Sequence, residues 1–526
     1  MIFLDCQDKD SIMLAVGDKL LKRKDVTSYL RLRIAVVVAI VGVLLPGCAV
    51  GPDFRSPKAP STNAYTATPL PEKTAAAPGV GGAAQCFVPG QDIPAQWWTL
   101  FHSEALDQLI HLALADSPTL AAARAKLREA QENRRSQVGV VFSPKVDANF
   151  SVEREKFSGA AFGQTGTTGT TFNLYNASVS VSYLLDIFGG GRRELESLQS
   201  QVDYQRFQLE GAYIALTSNI VTTAVREASL RSQVRATREI LTAQEKQLDV
   251  VECQFQLGGV SRSDVLAQRT QLAQTRATLP PLEKELSQTR HLLAVLAGML
   301  PSEATLPEFD LDSLQLPQDL PVSLPSSLVR QRPDIAASEA LLHAACAQVG
   351  VATANLYPQI TLTGSYGSEA ITIGTLFNNG PPIWNVGAGL LQHIFRGGEL
   401  SAKRRAAIAL YEQASAQYRE TVLLAFQNVA DVLRALEADA RGLEAQAVAE
   451  GAASDTLDLT QEQFRLGAVS YLSLLNAERQ YQHTRISLVQ AQAARFADTA
   501  ALFQALGGGW WNRRPQDDIT APRNKE

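Results

Sequence analysis

The chain has 526 residues, enough for several ordinary domains or one elongated body. An apolar fraction of 45% with 19% charged residues suits a chain with a real core, and 35 Gly and 24 Pro are too few for global disorder. Net charge is −5, while residues 1–47 carry seven Lys/Arg against five Asp/Glu, so the rest stands near −7. That sign argues against a nucleic-acid-binding protein, which would show a basic face.

The first segment is read as a leader. Lys19, Lys22, Arg23, Lys24, Arg31 and Arg33 form a basic region, and Ile34–Leu45 follows as twelve residues without a charge. Spanning about 30 Å of hydrocarbon takes roughly 20 residues, so an inner-membrane anchor is disfavoured and the apolar part of a secretory signal is favoured. Leu45-Pro46-Gly47-Cys48 resembles a bacterial lipobox, in which the cysteine is acylated and becomes the mature N-terminus. The residue after it is Ala49 rather than Asp, and by that resemblance the lipoprotein is sent to the outer membrane. Residues 1–47 are thus expected to be a lipoprotein signal peptide, with Met13 a second possible start. Of the cysteines beyond Cys48, Cys86, Cys253 and Cys346 show no paired spacing and are read as small buried hydrophobes.

Residues 49–92 are rich in Pro, Ala, Thr and Gly without a period and read as an extended linker. From Trp97 long helical tracts dominate, and they occur twice. "QFQLGGVSRSDVLAQRTQLAQTRATL" (254–279) and "QFRLGAVSYLSLLNAERQYQHTRISL" (463–488) agree at 11 of 26 positions with an offset of 209. "IFGGG" (187–191) matches "IFRGG" (394–398) at 207, and Pro144 corresponds to Pro358 at 214. Matches in one order at similar offsets indicate a duplicated domain rather than a solenoid. The expected plan is 48–95 as a lipidated linker, 96–300 as repeat 1, 301–325 as a second linker, 326–511 as repeat 2 and 512–526 as a tail.

No proline interrupts Arg192–Leu257 or Glu399–Leu466. Continuous helix over such a tract would reach roughly 95–100 Å at 1.5 Å per residue. In the second tract Tyr411, Tyr418, Ala425 and Val432 step by seven, as do Val422, Val429, Leu436 and Leu443. The interleaved steps form a coiled-coil seam.

Four short segments alternate with a period of two instead. Val146, Ala148, Phe150 and Val152 form one apolar set and Ala177, Val179, Val181, Tyr183 and Leu185 a second. Ile360, Leu362 and Tyr366, then Trp384, Val386, Ala388 and Leu390, repeat the pattern. These are strands with one apolar and one polar face, paired as hairpins over about 144–188 and 358–393 with long polar tips. Two readings fit the pattern: a small soluble sheet with its polar face wet, or strands that cross a membrane. A barrel in lipid must close, and single-chain barrels begin at eight strands, so four per chain demand several chains.

"QWWTLFHSEALDQLIHLALADSP", "SYLLDIFGGGRRE", "LVRQRPDIAASEALLHAACAQVGVATANLYPQI", the paired "QF-LG-VS" segments and "LFQALGGGWW" together resemble TolC-like outer-membrane factors. Within them the resemblance is to the OprM/NodT-type efflux lipoproteins. It covers Cys48 to about Trp511 and implies a mainly α fold with a small β part. Specifically, it implies a homotrimer with one shared twelve-stranded β-barrel in outer-membrane lipid and a periplasmic α-barrel of long antiparallel helices. It also implies two partners, a periplasmic adaptor protein and an inner-membrane pump, the latter of the resistance-nodulation-division type. No cofactor is implied beyond the diacylglycerol and N-acyl chain on Cys48.

The resemblance assigns parts as well. The turns "LGGVS" and "LGAVS", at about 257–262 and 466–471, become the adaptor-contact tips: Gly258, Val260, Ser261, Gly467, Val469 and Ser470. A helix reversal itself favours glycine there, which is a complete explanation without any adaptor. "YLSLLNAERQ" matches the family's constriction, with Leu472, Asn476 and Arg479 at gate positions. Steps of four and three put them on one helix face, suited to lining a closed tip or to packing between helices. Asn476 replaces the Asp of some relatives, so an Asn476–Arg479 contact would be a hydrogen bond with a neutral acceptor, weaker than an ion pair.

The glycine runs lack the order of a phosphate-binding loop, and the six histidines show no metal-ligand spacing. No catalytic or metal site is assigned. Three functions remain: an efflux exit duct for small toxic compounds, the duct of a type I protein-secretion or metal-export system, and a non-porous lipid-anchored coiled-coil scaffold.

Overall fold

The computed structural model describes residues 49–157, 169–378 and 380–513. Cys48, the leader and most of the 512–526 tail lie outside the described residues. In chain order come β1 (Cys86–Pro89), α1 (Glu104–Asp116), α2 (Pro118–Phe142), β2 (Lys145–Phe157), β3 (Thr170–Leu185), α3 (Gly190–Gln256) and α4 (Arg262–Leu296). Then follow β4 (Asp319–Val322), α5 (Pro325–Gln331), α6 (Pro333–Ala354), β5 (Gln359–Ala370), α7 (Ile373–Asn378), β6 (Pro382–Leu391), α8 (Glu399–Arg465) and α9 (Tyr471–Ala505). α3 and α8 are each 67 residues and α4 and α9 each 35, and α8 and α9 start 209 residues after α3 and α4 respectively. α4 stays helical through Pro280 and Pro281. Those two lack N–H groups, which denies the carbonyls of Arg276 and Ala277 their usual helical donors.

The chain forms two compact units. One comprises Ser136–Ser197 and Cys346–Ile408 with the chain up to Asp53, and holds a four-stranded antiparallel sheet in the order β2-β3-β5-β6. The register sets Val146, Ala148 and Phe150 beside Val181, Val179 and Ala177. Across the next ladders Val179 meets Tyr366, Gly364 meets Val386 and Tyr366 meets Trp384. One face is therefore apolar across all four strands. The other carries Asn149, Ser178, Ser180, Thr363 and Ser365, with Asn176 Nδ2 donating to Glu369 Oε1 at 3.1 Å. A one-residue slip anywhere would mix the faces. The β5–β6 connection differs from the expected irregular polar tip: β5 continues to Ala370, and α7 folds a turn of helix with Leu376 buried.

At the base of this unit Val50 N–H donates to the Phe188 carbonyl at 3.1 Å, and the Arg193 guanidinium binds Asp53 at 2.6 Å and Glu196 at 2.7 Å. The chain just after Cys48 is thus stapled beside the end of β3. "IFGGG" and "IFRGG" are not structural counterparts at their sequence offset of 207. α3 begins at Gly190 and α8 at Glu399, after Gly189 and Gly398, both at positive φ, so the helices set 209.

The second unit, Phe54–Arg135, Leu198–Ala345 and Ala409 onward, is helical. Its core gathers Trp97, Trp98, Phe101, Leu209, Phe496 and Phe503, with the Trp97 ring stacked on Phe503 at 5.2 Å. The α8 seam is buried at Tyr418, Val422, Ala425, Val429, Leu436 and Leu443. Tyr411, outside that contact, is 36% exposed.

The two segments read as linkers pair with each other, β1 lying parallel to β4. The first is also pinned by Arg495 of α9, which is fully buried. Its guanidinium donates to the carbonyls of Gly81 at 2.7 Å and Ala83 at 3.1 Å, and to Gln85 Oε1 at 3.0 Å. Cys346 is buried and Cys86 half-buried, but Cys253 is exposed, against the expectation for a small hydrophobe. It sits on a solvent-exposed face of α3, a position composition alone does not distinguish.

Candidate functional site

The helix tips of the second unit carry the candidate functional residues. α3 ends with Gly258 at φ 77° and α8 with Gly467 at φ 75°. Gly259 N–H reaches back to Gln254 O at 2.8 Å and Gly258 N–H to Phe255 O at 3.0 Å. Ala468 to Gln463 (2.8 Å) and Gly467 to Phe464 (3.0 Å) repeat the arrangement. Both helices thus close in a Schellman motif, whose left-handed residue favours glycine.

The returning helices are capped by the serines. Ser261 accepts from Asp264 N–H at 3.3 Å while Asp264 Oδ2 accepts from Ser261 N–H at 2.9 Å, a reciprocal capping box. Ser470 accepts from Ser473 N–H at 3.3 Å. Four of the six proposed tip residues (Gly258, Ser261, Gly467 and Ser470) are exposed, and Val260 and Val469 are half-buried. Val260 packs on a cluster of Val251, Val265, Tyr471 and Leu474 that ties the first turn to the start of α9. Two residues beyond the predicted set stand out: Leu257 is 81% and Leu466 72% exposed, one at each tip.

Along α9 the faces separate. Leu472, 61% exposed, shares an open side with Asn476 and Arg479, while Tyr471, Leu474, Leu475, Ala477 and Glu478 are buried. Arg479 does not pair with Asn476: its Nε donates to Gln271 Oε1 of α4 at 2.5 Å. The acceptor is neutral, as expected, but it comes from the neighbouring helix. Residues three apart on one helix both point outward here, whereas Gln271 faces the groove between α4 and α9.

Gln271 belongs to a band of buried amides that motif reading did not single out. The Tyr471 hydroxyl donates to Gln268 Oε1, and Gln268 Nε2 donates to the Gln244 carbonyl at 3.2 Å. Gln271 Nε2 donates to Thr275 Oγ1 at 3.3 Å, and that hydroxyl to Gln482 Oε1 at 3.4 Å. Polar side chains thus fill buried positions along α4 and the start of α9. Glu478 Oε2 and both amide atoms of Gln244 are buried without a hydrogen-bond partner among the described residues. Burial pushes the Glu478 carboxyl up to about 7. The only sequence signal for this band was the spacing of Gln268 and Gln271 on one side of α4.

These turns and helices fall inside a known pattern. The outer membrane efflux protein model matches residues 109–299 and again 324–508, together well over half of the chain. The chain belongs to the outer membrane efflux protein family. Members are channel proteins of the outer membrane and not enzymes, and this chain is accordingly an outer-membrane protein. It is 34% identical to the pyoverdine export outer membrane protein OpmQ of Pseudomonas aeruginosa, over 80% of this chain and 88% of that one. It is 30% identical to the toluene efflux pump outer membrane protein TtgC of Pseudomonas putida, over 91% and 96%. Among solved structures the outer-membrane channel OprN superposes with a TM-score of 0.78 at 28% identity, covering 88% of this chain and 100% of that one. Every predicted tip and gate residue lies within the stretches matched to the efflux family.

Proposed function

We propose that this efflux-family chain is a homotrimeric exit duct that passes small toxic organic compounds from an inner-membrane pump to the exterior. The observation that carries this reading is the sheet. It has one apolar face, one polar face and two unpaired edges, β2 and β6. Trp384 is 72% and Val386 81% exposed on the apolar face. Such a sheet is costly in water and, as an open edge, impossible in lipid. Three copies closing edge to edge would give twelve strands around a polar lumen. The chain is internally duplicated, each half contributing a hairpin and a pair of helices. α3 and α8, about 100 Å long by their residue count, would form the periplasmic wall.

In this reading the duct does no chemistry and supplies no energy. Leu472, Asn476 and Arg479 line the closed tip, and the tip turns at Gly258, Val260, Ser261, Gly467, Val469 and Ser470 meet a periplasmic adaptor. Exposed Leu257 and Leu466 add the apolar contact a docking partner would cover. A resistance-nodulation-division pump delivers the substrate. Small organic cargo is supported by the toluene and pyoverdine named in the relatives TtgC and OpmQ. Residues 1–47 are a removable leader, and Cys48 carries the acyl chains as a secondary anchor in the outer membrane.

Planar-bilayer recording of the purified protein tests the duct. Steady conductance is expected, rising in Leu472→Ala and Arg479→Ala, and silence in all three would overturn the channel. A deletion strain should become sensitive to organic solvents and hydrophobic antibiotics. For the anchor, Cys48→Ser should abolish fatty-acid labelling, and persistent labelling would refute it.

A further inference from the structure

The trimeric reading leaves open how one copy's sheet joins the next, and the registers inside this chain carry that answer. The inference rests on that reading. Pro144 and Pro358, each just before the first strand of a hairpin, are 214 residues apart. The helices that follow the second strands are 209 apart. Both intervals hold inside the sheet. Val146 opposite Val181, moved on by 214 and 209, becomes Ile360 opposite Leu390, which is a pair. Ala148–Val179 becomes Leu362–Ala388, Phe150–Ala177 becomes Gly364–Val386, and Val152–Tyr175 becomes Tyr366–Trp384, each of them present. The second hairpin is a copy of the first without a slip.

One ladder has no copy. β3 pairs with β5 between the hairpins, but the corresponding pair, β6 with β2, lies at opposite edges of the sheet. Only the β2 of another copy can fill that place. We propose that β6 pairs antiparallel with β2 of a neighbouring copy in the register inherited from β3–β5. Val181–Gly364 then becomes Leu390 opposite Phe150 of the partner subunit. Tyr183–Leu362, Leu184–Thr361 and Leu185–Ile360 become Gln392 opposite Ala148 of the partner subunit, His393 opposite Asp147 of the partner subunit and Ile394 opposite Val146 of the partner subunit.

This register accounts for an otherwise odd feature. β3 runs to Leu185, yet β6 stops at Leu391, three residues short of the equivalent Ile394. Residues 392–394 have no ladder, and Ile394 is 95% exposed. With a partner's β2 alongside, β6 extends by those three residues and Ile394 joins the apolar face. The side chains also agree. On the apolar face Leu390 and Ile394 meet apolar residues, and the polar Gln392 between them lies opposite Ala148 of the partner subunit. On the other, His393 meets a carboxylate, and Gly387 and Gly389 leave room for the partner's Glu153 and the partner's Ser151. A slip of two would set His393 against the partner's Asn149 or the partner's Lys145.

Disulfide trapping in outer-membrane vesicles tests the register, with Cys86, Cys253 and Cys346 replaced by Ser. Directly opposed Cβ atoms lie about 5 Å apart and diagonal ones about 7–8 Å, so only an opposed pair should oxidise readily. His393→Cys with Asp147→Cys is expected to give a ladder ending at a covalent trimer. His393→Cys with Asn149→Cys, or with Lys145→Cys, should stay monomeric on the same gel. Leu390→Cys with Phe150→Cys repeats the test on the lipid side should the lumen pair fail to insert. Trapping by a control pair instead would overturn the register while leaving the trimer standing. Native mass measurement of the uncrosslinked protein separates the cases, since a monomer there would overturn both.

Discussion

Breaking the bond between Arg479 and Gln271 should loosen the tip. Arg479 Nε donates to Gln271 Oε1 at 2.5 Å between α9 and α4. A hydrogen bond to a charged group contributes about 1.5–3 kcal/mol when shielded, and exposure of the Arg479 side chain reduces this to about 1 kcal/mol. In the proposed trimer, three such bonds at a closed tip would hold it by about 3 kcal/mol, or about two decades in the closed-to-open ratio. Open probability in planar bilayers is the readout, taken for Arg479→Ala, Gln271→Ala and the double variant. Each single change should raise it toward that limit, and the double should do no more than either. Gln271→Glu places a full charge opposite the guanidinium and should reverse the sign, closing the tip further. Additive effects, or opening by Arg479→Ala with Gln271→Ala inert, would refute the bond as the latch.

Glu478, buried on the next face of α9, should make this part of the helix sensitive to pH. Its buried carboxyl is raised from 4.5 to about 7, so folding favours the neutral form. The stability this lends is full below about 4.5, is lost as pH rises through about 7, and amounts to about 3 kcal/mol at most. Amide protection over 471–482, after division by the intrinsic exchange rate at each pH, should be higher at pH 5.5 than at pH 8, and Glu478→Gln should remove that difference; an unchanged difference would clear the residue. Gly258→Ala and Gly467→Ala should each cost about 1 kcal/mol in thermal stability of the tip, because the added Cβ meets nothing within 4 Å and only the positive φ resists it. Asn at either site should cost less, and equal losses for Ala and Asn would contradict that origin. Arg495→Met strands the carbonyls of Gly81 and Ala83 and the Gln85 amide oxygen, at about 1–3 kcal/mol for each group left buried. Faster proteolysis between residues 74 and 85 is expected, and an unchanged cleavage rate would show that the linker is held otherwise.

The strands were legible because a period of two survives in any environment: Val146 to Val152 and Trp384 to Leu390 pointed to one side before any partner was known. The tip turns were legible because positive φ and an unpaired helix end demand Gly258, Gly467, Ser261 and Ser470 locally. Glycine spacing misled once, at "IFGGG" and "IFRGG", where the helix start rather than the motif sets the equivalence. Asn476 was read as the neighbour of Arg479 because both lie on one helix, whereas the true acceptor, Gln271, lies 208 residues away. The linkers hid their order for the same reason. Cys86–Pro89 has no period to reveal a strand, and its partner is Asp319–Val322.

By itself the sequence determined the long helices, the two-faced strands and the capped turns, since each depends on spacing and on neighbours a few residues away. Only the tertiary structure decided that Arg495 clamps the linker, that amides fill the α4–α9 seam, and that the hairpins share one register. Those depend on which distant side chains meet in a buried space, where an unmatched polar group is costly and an exact partner therefore matters.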